Sequence, residues 1–377
     1  MFTDISSEMV SAVLPLYVLY GLQATPLQLG LIDGIYQGCS GLVRLAAAVA
    51  ADHWRRQKDV AAVGYALSTV SRFGLLAVNG ALGGIAACVL VDRVGKGIRT
   101  APRDALISLS VPRDRLGLAF GVHRALDTAG AFLGPLIAFG LLALAHRSFD
   151  AVFLASASFG LIGLGIIALF VENRRVNAHA PAVAFGIADC FRLFGSRRFR
   201  ALAIAAGAVT LFTVSDAFIY VGLQRRGSLG LEVFPLLYVG TSLFYLLLAV
   251  PAGRLADRFG HRTVFAVGQL LMLAVYALLL VQDLAVASVL VLPLLGAHYA
   301  CTDGVLMALA SGVVQERLRT SGLALLATIT SVAALTSSVV VGVLWTWLGM
   351  EMTFALALVG LVLALGVAAR SLRELHC

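Results

Sequence analysis

Long stretches of this 377-residue chain carry no charged residue, among them Ala151–Val171, Val233–Gly253, Thr263–Gln282 and Met352–Ala369. A helix needs about 20 apolar residues to cross the hydrocarbon of a bilayer, and each of these runs is close to that length. In lipid every backbone N–H and C=O must be bonded within its own segment or within a closed barrel. A barrel would alternate apolar and polar residues in strands of about 10, which these runs do not, so they are helices. Composition points the same way. The chain is 60% hydrophobic and 13% charged, against about 25% charged in soluble domains. Too little polar surface remains to wrap a water-soluble enzyme of this size. The expected fold is an all-α membrane protein of twelve spans, with about 31 residues for each crossing and its loop.

The spans are expected at 1–22, 27–51, 60–79, 81–109, 117–145, 151–171, 200–223, 233–256, 263–282, 284–312, 320–348 and 352–370. The longest polar connection, 172–199, follows the sixth span. It divides the chain into an N-terminal six-helix bundle (1–171), a cytoplasmic linker (172–199) and a C-terminal six-helix bundle (200–377). Short loops rich in Lys and Arg stay on the cytoplasmic side. With the N-terminus inside, 17 of the 28 basic residues fall in inner loops and the tail, against 3 outside (Arg147, Arg225 and Arg226). Both termini are therefore expected in the cytoplasm and the chain in the plasma (inner) membrane. Asp4 and Glu8 stand where a signal peptide would be basic, so no cleavable leader is expected. Span 1 is short on its inner side, which raises the expectation of further residues upstream. The five cysteines (Cys39, Cys88, Cys190, Cys301 and Cys377) form neither a metal spacing nor a disulfide framework.

The halves echo each other. Span 2 ends in Ala-Asp52-His-Trp-Arg55-Arg56-Gln-Lys58, and span 8 ends in Gly253-Arg-Leu-Ala-Asp257-Arg258-Phe-Gly260-His261-Arg262. The two aspartates are 205 residues apart. Gly117 before span 5 and Gly322 before span 11, each followed by Leu-Ala, repeat that offset. Two independent signals at one offset indicate duplication, six helices and six. Repeated halves place a site near the bilayer midplane and permit one half to rock on the other. At the end of span 8, Gly253 is expected to admit a neighbouring helix. Asp257 is expected to take a charge-assisted bond that holds a cytoplasmic gate shut. In span 5, Gly121, Gly130, Gly134 and Pro135 follow a second pattern, in which the last two glycines share a helix face for close packing.

These Gly/Asp/Arg ends of spans 2 and 8, the Gly-Pro pattern of span 5 and the duplication resemble the major facilitator superfamily (MFS) of secondary transporters over essentially the whole chain. In that family the span 5 pattern goes with antiporters, although the glycine expected three after Pro135 is Ala138 here. The resemblance also implies a cavity lined by spans 1, 4, 7 and 10. Arg93 with Gly95 or Gly97 resembles the family's span 4 arginine motif. The longer string Asp92-Arg93-Val-Gly95-Lys96-Gly97-Ile-Arg99-Thr-Ala-Pro102-Arg103-Asp104-Ala is similar to a bacterial subgroup of it.

That string places Asp92, Lys96, Arg99 and Arg103 on one stripe of a spanning helix. A charge at the bilayer centre costs about 2.5–3.5 kcal/mol, so the stripe must face protein or water. Arg93 and Lys96 are candidates for an anion- or proton-linked site. Arg99, Arg103 and Asp104 join Asp52, Arg55, Arg56, Asp257, Arg258 and Arg262 at the expected gate. Asp4 and Glu8 share a face of span 1, where two close carboxylates in low dielectric do not both ionise cheaply. Asp216 in span 7, with His298 and Asp303 in span 10, are further intramembrane candidates. Asp33, Arg44, Arg72, His123, Arg124 and Asp127 are expected to pair locally, with Asp33 and Asp127 kept on the proton and substrate path. The expected function is proton-coupled efflux of a small molecule by alternating access. The alternative is an importer or facilitator of an anionic metabolite or metal chelate. With neither HExxH nor GxSxG, no enzyme is expected. No cofactor, no resident metal and no nucleic-acid partner is expected, and the protein is expected to be a monomer in the bilayer.

Overall fold

The computed structural model describes residues 1–54, 57–112, 115–145, 148–172, 193–227, 230–281, 284–314 and 319–373, and among them all regular structure is helical. Span 1 is the helix Phe2–Leu16 continued by a π-helical turn, Tyr17–Gly21. Pro15 lies just before the widening; its missing N–H and its ring disturb the i→i−4 ladder there. Span 2, Pro26–Trp54, opens on a capping box. The amide of Gln28 donates to Thr25 Oγ1 (3.3 Å), and Gln28 Oε1 accepts from the amide of Thr25 (2.8 Å). Pro26 stands at the first helical position, where its lack of an N–H costs nothing.

Spans 3 to 6 are Gln57–Ala77, Leu82–Ser110, Leu116–Leu144 and Phe149–Phe170. The turn between spans 3 and 4 puts Asn79 and Gly80 at φ 44° and 79°. Span 7 departs from expectation. It is two helices, Arg197–Leu211 and Asp216–Gly227, with the chain out of the helix between them. Spans 8 to 10 are Pro235–Phe259, His261–Leu280 and Leu284–Val313. Spans 11 and 12 run on as Arg319–Arg373, broken at Gly349 (φ 82°, ψ 172°), a conformation open to glycine alone at little cost.

Nine stretches among the described residues are long and apolar enough to cross a membrane, and one of them, Gly322–Ser371, holds spans 11 and 12. Spans 2 and 4 complete the twelve. Span 4 falls short of the apolar criterion because six ionisable residues lie between Asp92 and Asp104.

The chain folds as two compact units. The first comprises Met1–Ala24, Ile35–Ala184 and Leu231–Leu236; the second comprises Thr25–Gly34, Phe185–Gly230 and Leu237–Cys377. In the first, span 1 packs on spans 5 and 6, and span 3 packs on spans 4 and 6. In the second, span 7 packs on the 11–12 stretch, and span 9 packs on span 10 and on that same stretch. In both units the first span thus packs on the fifth-and-sixth region, and the third packs on the fourth span and on that region. Span 1 is the buried centre of its unit, with twelve residues of its α-helix and two of its π-helical turn inside. Spans 5 and 6 turn Leu118, Val122, Leu154, Leu161 and Leu169 outward, the apolar face a bilayer demands.

Candidate functional site

Spans 1 to 4 gather a polar core in the first unit. Asp92 of span 4 lies between two guanidiniums and makes close ion pairs with Arg72 of span 3 and its own neighbour Arg93. Arg72 also donates to the carbonyl of Ser68 (2.9 Å), to Ser71 Oγ (2.9 Å) and to Ser7 Oγ of span 1 (2.9 Å). Arg93 lies 3.9 Å over the ring of Tyr36 in span 2, a cation–π contact. Arg93 is therefore held by Asp92 and Tyr36. The carboxylate next to it in sequence was the nearest countercharge, and Arg72 the second partner that such a buried acid needs.

One turn further along span 4, Lys96 makes no ion pair within 4 Å and no hydrogen bond among the described residues; the charges acting on it are Arg93, Glu8, Arg99 and Asp92. Arg99 is buried 4.8 Å from the ring centre of Tyr65, and its Nη1 has no hydrogen-bond partner. Facing this ladder, Glu8 accepts a hydrogen bond from Ser11 (2.9 Å) and has no ion pair within 4 Å among the described residues. Asp4 pairs with the terminal ammonium at 2.8 Å.

Span 5 backs both acids. A Cβ on Gly134 would meet Glu8 Cβ at 2.8 Å and the carbonyl of Ile5 at 2.9 Å; one on Gly130 would meet Asp4 Cβ at 2.8 Å. The two glycines are therefore the close-packing face expected of them, and their partners are the acidic positions of span 1. A Cβ on Gly121 would meet nothing within 4 Å among the described residues. Asp127 pairs with His123 at 3.2 Å, one turn back, rather than with Arg124.

The second unit closes the break in span 7 with hydroxyls. The amide of Val214 donates to Tyr276 Oη (2.7 Å), and that hydroxyl donates to the carbonyl of Phe212 (3.0 Å). Ser337 Oγ donates to the carbonyl of Thr213 (2.9 Å). Backbone freed from a helix at membrane depth requires such partners. Asp216 opens the second half-helix and accepts from Tyr299 Oη at 2.5 Å. Asp33 accepts from Ser338 Oγ at 2.6 Å, and Asp33 and Asp303 are the other charges acting on Asp216. Asp303 itself is exposed. His298 is buried and tied through Nδ1 to the carbonyl of Gly268 (2.8 Å), so it serves a contact between spans 9 and 10.

The sequence alone missed the break in span 7. Its signal was Ser215-Asp216, a helix-starting pair inside an apolar run. Tyr36, Tyr276 and Ser337 carried no signal of their own.

Two compact helical units, the first with a buried ionic cluster at Arg72, Asp92 and Arg93, invite comparison with known proteins. The model of the Major Facilitator Superfamily matches residues 1–238 and 227–375. The chain belongs to the Major Facilitator Superfamily. An uncharacterized MFS-type transporter of Methanocaldococcus jannaschii is 29% identical over 372 residues, 96% of this chain and 89% of that one. An uncharacterized protein of Mycobacterium bovis is 36% identical over 132 residues, 35% of this chain and 32% of that one. Among solved structures, a nucleoside transporter superposes with a TM-score of 0.80 at 14% identity, covering 99% of this chain and 96% of that one. A bacterial homologue of the human lysosomal transporter Spinster gives a TM-score of 0.75 at 14% identity, covering 99% and 94%. At such identities the likeness is one of fold.

As an MFS member the chain is a multi-pass membrane protein of the secondary-transporter class. Of the gate residues expected in this MFS chain, the side chain of Asp52, and Arg55 and Arg56 entirely, lie outside the described residues. Arg103 pairs with its neighbour Asp104 (2.9 Å). Asp257 is 79% exposed, and His261 of the next turn is 3.6 Å away. Arg258 lies over the ring of Phe259 at 5.3 Å, and Arg262 is not without a partner. Among the described residues, a Cβ on Gly253 would meet nothing within 4 Å. The glycine the structure requires in this segment is Gly260, whose φ of 93° turns span 8 into span 9.

Proposed function

We propose that this MFS protein is a proton-coupled antiporter exporting a small molecule across the plasma membrane, with both termini in the cytoplasm and Glu8 as the coupling carboxylate. The observation that carries the reading is the contrast within one polar core. Asp92 is locked between two guanidiniums, whereas Glu8 has a hydroxyl and no ion pair, faces an unpaired lysine and is seated on Gly134. A carboxylate held this way gains and loses a proton without breaking a buried salt bridge, which would cost about 3–5 kcal/mol. Efflux is supported by the Gly-Pro pattern of span 5, whose glycines seat the two acids of span 1. Asp33, Asp127, Asp216 and Asp303 are secondary members of the path in this reading.

The test uses purified protein and a small-molecule library. Compounds that raise its melting temperature are selected, then added to proteoliposomes containing a pH-sensitive dye. A stabilising compound is expected to drive proton movement opposite to its own, and Glu8→Gln is expected to abolish that movement while the protein still folds. Transport that proceeds with no proton movement in either protein would overturn the proposal.

Lys96 without an ion pair and the unpartnered Nη1 of Arg99 favour a second reading, import of an anionic metabolite or metal chelate. Competition by small carboxylates or phosphates, with net inward movement, would select that reading over efflux.

A further inference from the structure

The Arg72–Asp92–Arg93 cluster borders a cavity of about 10 Å³ in the first unit. Ser7 of span 1, Tyr36 of span 2, Ser71 and Arg72 of span 3, and Asp92 and Arg93 of span 4 line its polar side. Valine and leucine side chains, with Cys88, line the rest. A space of this size holds one particle about as large as a water molecule.

The hydrogen bonds of the wall select the particle. Among the lining residues Asp92 is the one acid, and both its oxygens are engaged. Oδ1 accepts from Arg72 Nη1, and Oδ2 accepts from Nε and Nη2 of Arg93. Ser71 Oγ donates to the carbonyl of Ser68 (2.7 Å) and accepts from Arg72 Nη1 (2.9 Å). Ser7 Oγ accepts from Arg72 Nη2 (2.9 Å), and among the described residues its own hydrogen has no acceptor. Arg72 is 2% exposed, and its Nε has no hydrogen-bond partner. Donors are thus in surplus on two lining side chains, one from span 1 and one from span 3. Charge is in surplus as well, because two buried guanidiniums line the cavity with one buried carboxylate. Buried donors call for acceptors, and a buried charge calls for a partner. A water serves the donors and leaves the charge. A carboxylate or phosphate serves both but exceeds the volume. A monatomic anion, only slightly larger than water, serves both within it.

We propose that this cavity is a binding site for a single halide ion of chloride size, held by Nε–H of Arg72 and the hydroxyl of Ser7. The ion ties span 1 to span 3 and completes the countercharge of the cluster. The site stands apart from the reading of Glu8, and it is too small for the larger anion that the import reading requires.

The test is the melting temperature of the full-length protein in detergent, in gluconate buffer into which chloride or bromide is exchanged at constant ionic strength. A ligand that binds the folded state alone raises that temperature as it fills its site. Gluconate is too large for the cavity, so the wild type is expected to gain stability with halide and to reach a plateau. Ser7→Ala removes one donor and is expected to raise the half-saturating chloride concentration about tenfold. A wild-type crystal grown in bromide supplies a second readout, with an anomalous peak expected between Arg72 Nε and Ser7 Oγ. A melting temperature indifferent to the exchange overturns the proposal. So does an equal halide effect in wild type and Ser7→Ala, and so does water alone in the cavity of the bromide crystal. Should Ser7→Ala fail to fold, the wild-type bromide crystal decides.

Discussion

In the first unit a carboxylate is clamped between two guanidiniums; in the second a broken helix is closed by tyrosine and serine hydroxyls. The duplication makes the comparison specific. Counted at the 205-residue offset of the sequence, Arg93 falls against His298, Ser11 against Asp216 and Tyr36 against Thr241. Arg93 is held by a carboxylate and His298 by the carbonyl of Gly268. Ser11 donates to Glu8, whereas Asp216 accepts from Tyr299. Tyr36 lies under Arg93, and Thr241 accepts from Tyr220 at 2.7 Å. At these positions the polarity is ionic in one unit and mostly hydrogen bonds of hydroxyls in the other.

The two kinds of polarity should differ in how much they cost to break. Removing one partner of a buried ion pair leaves an uncompensated charge, at about 3–5 kcal/mol. Asp92→Asn leaves two guanidiniums together and is expected to give the largest loss of stability, read as a collapse of the melting temperature or of folded yield in detergent. A double change of Arg72→Met with Asp92→Leu removes the charges together and is expected to recover much of that loss. Equal damage from single and double changes would show that packing, not charge, governs this core.

Tyr276→Phe comes next. It leaves the amide of Val214 and the carbonyl of Phe212 without the hydroxyl that serves both, a penalty of about 1–3 kcal/mol for each buried group left unmade. Hydrogen exchange at residues 212–215 is expected to rise in this variant, with the helices on either side protected as before. Ser337→Ala removes one bond to Thr213 and is expected to cost about 1 kcal/mol.

How far these sites were legible in sequence follows the same division. The twelve spans were legible because a run such as Met352–Ala369 has one stable solution in lipid. The stripe on span 4 was legible because four charges at helical spacing have to face inward. The partners of that stripe were not. Arg72 and Asp92 are 20 residues apart on neighbouring helices, and only the packing of span 3 on span 4 brings them together. Gly130 and Gly134 were readable as a close-packing face, but nothing in their spacing named Asp4 and Glu8 as the residues they receive. Gly253 was equally readable as a small helix residue and, among the described residues, receives nothing within 4 Å, because spacing reports which face a glycine occupies and not what lies opposite it.

The smallest expected effect lies at Asp257, and it sharpens the comparison from the solvent side. Its carboxylate is 79% exposed, with His261 at 3.6 Å on the same helix. Exposed pairs of this kind contribute about 0–1 kcal/mol, so Asp257→Asn is expected to leave the melting temperature unchanged within error. Any effect on transport must then come from a contact made in another state of the cycle. Melting temperature and transport rate measured on one preparation separate the two roles. An unchanged melt with slowed transport assigns Asp257 to conformational exchange, as the gate expectation holds. A lowered melt would place it with Asp92 among the residues on which the fold itself depends.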